Sequence, residues 1–175
     1  MGMVMGVTAV ILGIAAGLVG LLVWTALIFP LPAARARAAL EARPGRCFVA
    51  GIALALILGV PVISLLHASH GFAKLAGWGL ALPLVAAMVT GLTAMAQLLG
   101  DRLRALSPGL TPLAALVRGA VTLELAAFIP FVGWFLFAPL VGLVVTGAGA
   151  LGCIGFRKGT GLIGVLCVFV VQLLR

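Results

Sequence analysis

Glu124 is the only acidic residue set inside an apolar segment of this sequence. A carboxylate in hydrocarbon is costly, so an ionisable group there is a functional candidate by default. On one reading it accepts a proton or binds a cation beside the break at Pro130–Gly133. The plainer reading starts from Arg118, six residues earlier, which puts Glu124 near the inner interface. There it would snorkel, pair with a loop arginine or sit by a helix N-terminus. Thr90, Thr93 and Gln97 form the other polar face at helical spacing. Such groups bond across helices, or they line a solute path together with Glu124.

The remaining chemistry is sparse. His67 and His70 are three apart and share a face on a helix. Zinc needs three or four ligands, and no nearby Cys, Asp or Glu completes a set, so no metal is expected. Cys47, Cys153 and Cys167 contain no CxxC and read as small buried hydrophobes. No Walker lysine, GxSxG, HExxH or carboxylate pair occurs. With three acids and two histidines, general acid–base catalysis has few actors. The expectation is a protein without enzymatic activity or cofactor.

The elements that position these residues must be membrane helices. Hydrophobic residues make up 65% of the chain and charged ones 8%, against about 25% charged in a soluble domain. Long unbroken apolar runs exclude a transmembrane barrel, whose segments alternate over about ten residues. The net charge of +8 forms no stripe for nucleic acid. Instead Arg35, Arg37, Arg43 and Arg46 fall in one gap, Arg102, Arg104 and Arg118 in a second, and Arg157 with Lys158 in a third. That clustering follows the positive-inside bias. Residues 1–34 carry no charge, so the basic start of a signal peptide is missing and the first span is read as retained, its N-terminus outside. Nine Arg against two Lys, with no Tyr or Asn, indicate a GC-rich bacterial genome and hence an inner-membrane address.

The predicted architecture is an all-α integral membrane protein, a single transmembrane domain over residues 1–175 with about six hydrophobic segments. The first span covers 1–30; at about 1.5 Å per residue it exceeds the roughly 30 Å hydrocarbon core, and Pro30 and Pro32 lead into an extended exit. A first hairpin covers 47–99, its first arm interrupted by Gly59 and Pro61. A second, short hairpin covers 119–154, broken at Pro130 and Gly133, where glycine permits positive φ. A last helix covers 161–174.

Gly51 to Pro61 echoes Gly119 to Pro130: each follows a basic gap and runs from glycine to proline. Two hairpins starting and finishing inside would form a parallel repeat. Trp78 and Trp134 then mark the outer interface. Small residues form packing stripes, Gly13, Gly17 and Gly20 on the first span and Gly142, Thr146 and Ala150 in the second hairpin. Lipid offers no hydrophobic drive between helices, so close approach at such stripes supplies much of their association. The stripes pack within the chain, or the first one docks a partner subunit.

The run from Gly119 through Ile129-Pro130-Phe131-Val132-Gly133-Trp134 to Gly147-Ala148-Gly149-Ala150-Leu151 resembles the polytopic membrane domain of uncharacterised bacterial proteins linked with bactofilin-like polymer-forming modules. The resemblance implies a membrane anchor or scaffold and transfers no catalytic residue. The leading expectation is therefore an accessory or scaffold subunit of a larger membrane assembly. Its partners would be other membrane subunits and membrane lipid, including anionic headgroups at the basic inner loops. The alternative is a small-solute transporter or substrate-binding membrane component, with Glu124, Thr90, Thr93 and Gln97 around one cavity.

Overall fold

The computed structural model describes residues 2–107, 109–129 and 131–154. Pro130, Arg157, Lys158, Cys167, Arg175 and the expected last helix over 161–174 lie outside them. Every regular element among the described residues is helical. In chain order α1 spans Gly2–Ile28, α2 Pro30–Ala42, α3 Pro44–Leu54 and α4 Val60–His67, with a π-helical stretch, Ala55–Gly59, joining α3 to α4. Next come α5 (Gly71–Leu106), α6 (Pro112–Phe128) and, after a second π-helical stretch over Val132–Phe137, α7 (Ala138–Ile154). Four helical runs are long and apolar enough to cross a membrane: Met5–Ile28, Pro44–His67, Gly71–Leu106 and Gly133–Cys153. α6 has 17 residues, about 25 Å of helix, and falls short of a roughly 30 Å hydrocarbon core.

Two local expectations change. Pro30 and Pro32 begin α2 instead of an extended exit. Phe29, at φ −118° and ψ 59°, breaks the path, and proline is tolerated in a first turn whose N–H groups have no intrahelical acceptor. The gap over 100–118 is mostly helix, with α5 running on to Leu106 and α6 beginning at Pro112. Charge marks where the chain leaves lipid, not where the backbone stops coiling. Thr111 caps α6, its hydroxyl accepting the Ala114 N–H at 3.3 Å, so the arm starts earlier than the glycine-led pattern implied. The second span runs through Gly59 and Pro61 to His67, as expected. The wider π turn just before Pro61 absorbs the missing donor and the ring.

The two hairpins interlock. α5 packs along α6 and α7, while α7 packs along α3 and α5, so each hairpin's second arm lies against both arms of the other. Glycines make this possible. A Cβ on Gly147 would overlap the Cys47 carbonyl, and one on Gly51 the Leu143 carbonyl. The same reciprocal exclusion joins Gly91 with Val145 and Gly149 with Ala87, then Gly100 with Ala115 and Gly119 with Ala96. At each crossing a glycine and the residue four before it face an equivalent pair, which lets two backbones touch. Ala94, Ala148, Cys47, Ala36 and Leu40 fill the space between α2, α3, α5 and α7. α1 is held least: most of its residues are exposed, and it meets α5 and α6 through Val19, Leu22, Val23 and Ala26.

Candidate functional site

Glu124 lies on α6, four residues after Ala120 and eight after Leu116. Those two side chains join Leu22 of α1 and Ala96 of α5 in one cluster. Residues four apart share a helix face, so Glu124 continues the line of Leu116 and Ala120. The residue is half-buried; its Oε1 is enclosed and has no hydrogen-bond partner. No ion pair joins it to Arg118 or to any loop arginine among the described residues.

The other polar candidates do not meet it. Thr90 and Thr93 are buried on α5, and their hydroxyls donate to the Ala86 and Val89 carbonyls at 2.7 and 2.9 Å. Gln97 is half-buried one turn further on. No hydrogen bond among the described residues connects these three with Glu124. A cleft of about 360 Å³ opens at the tip of the second hairpin, but Phe128, Phe131, Trp134 and Phe135 line it.

That tip departs from the expected geometry. The positive φ falls on Phe131, at φ 67° and ψ −64°, and no described glycine shares it. Gly133 is required for a different reason: an added Cβ would stand 2.6 Å from the Ala127 carbonyl and 2.9 Å from that of Ala126. Its own N–H donates to Ile129 O at 2.8 Å, closing the turn.

The packing candidates divide. Gly13, Gly17, Gly20 and Gly142 have nothing within 4 Å of an added Cβ. Ala150 is buried beside Leu54 and Ala87, and the half-buried Thr146 donates to Gly142 O at 2.6 Å. Sequence reading missed Gly91, Gly100, Gly147 and Gly149 as contact glycines. The signal was present as Ala87-x3-Gly91, Ala96-x3-Gly100 and Ala115-x3-Gly119.

At the opposite end from the hairpin turns, α2 is tied to α5. Arg37 Nε donates to Glu41 Oε1 at 3.0 Å, and its Nη1 pairs with Asp101. The Glu41 hydrogen bond, helped by the Asp101 charge, holds the guanidinium above its ordinary range against partial desolvation. Arg35, Arg43, Arg46, Arg102, Arg104 and Arg118 are exposed, with no ion pair among the described residues. His67 Nδ1 lies 3.0 Å from Ile63 O, and His70 is exposed before α5. The described residues bring no three metal-ligating side chains together. Cys47 is buried and Cys153 half-buried. No family model, curated protein or solved structure matches this chain.

Proposed function

We propose that this chain is a small multi-spanning protein of a bacterial inner membrane that works as an accessory or scaffold subunit of a larger membrane assembly. The observation that carries this reading is the outer face of α1. Gly13, Gly17 and Gly20 are open there, whereas Ala15, Val19, Leu22 and Ala26 turn towards the bundle. A small-residue face on a long apolar helix is suited to a second helix at close range. The positive-inside bias puts the arginine-rich end in the cytoplasm and the N-terminus outside. Its unpaired arginines would also attract anionic headgroups. The resemblance of Gly119–Leu151 to membrane domains linked with polymer-forming modules agrees with an anchoring role.

The test is gentle extraction of the native protein with identification of whatever accompanies it at fixed ratio. Gly13→Leu with Gly17→Leu should lower recovery of that partner; unchanged recovery counts against the surface. The transporter reading draws its support from the orphaned Glu124 oxygen. Recovery of the protein alone, with a solute that raises the thermal midpoint of the native chain and not of Glu124→Gln, would favour it.

A further inference from the structure

The chain has three acidic residues, and two of them have a cation: Glu41 and Asp101 share Arg37 at the arginine-rich end. Glu124 has none among the described residues, and its Oε1 is enclosed with no donor. The elements packed on α6 are α1, α5 and the π-helical stretch over Val132–Phe137. α1 and the π-helical stretch contain no charged residue. On α5 the charges are Lys74 in its first turn and Asp101, Arg102 and Arg104 in its last ones. Arg118 of α6 is about 9 Å away along the axis and about a third of a turn round the helix. Thr122, the nearest polar neighbour in sequence, donates its hydroxyl to Arg118 O at 2.7 Å. An ionised carboxylate in such a place has no counter-charge among the described residues and no donor for its enclosed oxygen, and charges taken out of water are neutralised or paired.

We propose that Glu124 is an exchangeable proton site within the membrane, a carboxylic acid held in its neutral form on the α6 face that carries Leu116 and Ala120. The ligand is the proton itself. This stands whether or not α1 docks a partner.

Dicyclohexylcarbodiimide, an apolar carbodiimide, tests it on the full-length protein in detergent and in lipid vesicles. A protonated carboxyl adds across one C=N bond of the reagent. The carboxyl oxygen bonds to the central carbon and the acid proton passes to nitrogen; the acylisourea then rearranges to a stable N-acylurea, with no atom lost. The expected result is one adduct, mapped by mass spectrometry of the unsubstituted protein to Glu124, with Glu41 and Asp101 unlabelled. Labelling should fall as the pH is raised, and Glu124→Gln should abolish it. Because the adduct is mapped on the native chain, a variant that misfolds does not decide the outcome. No adduct at Glu124 at any pH overturns the proposal, as does equal labelling of all three acids. Protection by sodium at constant pH also overturns it, by assigning the site to a metal cation.

Discussion

Among single residues, the contact glycines and Phe131 carry the largest local constraints. A methyl at Gly149 would drive into the Ala87 carbonyl and the Gly91 backbone. Overpacking of this kind costs about 1–3 kcal/mol, because backbones must separate along the whole crossing. Gly149→Ala should therefore lower the thermal midpoint in detergent, while Gly142→Ala, whose Cβ meets nothing, should leave it unchanged or raise it slightly. Equal effects would mean that the α5–α7 crossing is not glycine-limited. Phe131 poses the reverse case. Its φ and ψ fall in the strained γ-turn region, which costs a non-glycine residue about 1–3 kcal/mol, and the residue is 80% exposed, so little packing is lost on truncation. Phe131→Gly is expected to raise the thermal midpoint modestly, less the entropy that glycine adds to the unfolded chain. A clear drop would show that the ring has a neighbour in the membrane worth more than the strain.

Hydropathy located the elements well in the middle of apolar runs and poorly at their ends. The spans at the first and second segments, and the break near residue 130, follow directly from apolar length and from Pro-Gly chemistry. The helical character of α2 and of the last turns of α5 did not, since arginine-rich sequence looks like loop when only polarity is read. The Thr111-Pro112 start of α6 was readable as a cap and went unused. Glu124 stood out because it is the one acid inside an apolar segment, but the lack of a partner for its Oε1 depends on tertiary packing, which no local pattern encodes. α1 itself is the element most open to substitution. Because its glycine face touches nothing, replacing Gly13 and Gly17 with leucine should leave the thermal midpoint of the isolated chain near its starting value. Loss of partner recovery together with an unchanged midpoint would locate the defect in docking; a collapsed midpoint would assign those glycines to the fold instead.

For the molecule as a whole, charge is polarised. The ion pair between Arg37 and Asp101 brings the α2–α3 junction and the α5–α6 junction to one end, and both are rich in arginine. The turn at Ser69 lies at the far end of α4 and α5. Cysteine placed at Ser107 and at Ser69 should thus react with impermeant thiol reagents from opposite faces of the membrane, Ser107→Cys from the cytoplasmic one. Reaction of both from the same face would dismantle the hairpin topology. Gly51 and Gly119, which echo each other in sequence, each sit at a close crossing with the other hairpin's second arm.

The interlocking of the hairpins also sets an order of events at the ribosome. α3 finds its closest neighbour in α7, which is synthesised 96 residues later by the numbering of Gly51 and Gly147. Until α7 enters the bilayer, the glycine face of α3 has only lipid to rest on, although α5 can already meet α2 and α4. A chain that stops before α7 would leave Gly51 of α3 and Gly91 of α5 without the backbone they approach, while the crossing of α5 with α6 at Gly100 and Gly119 could still form.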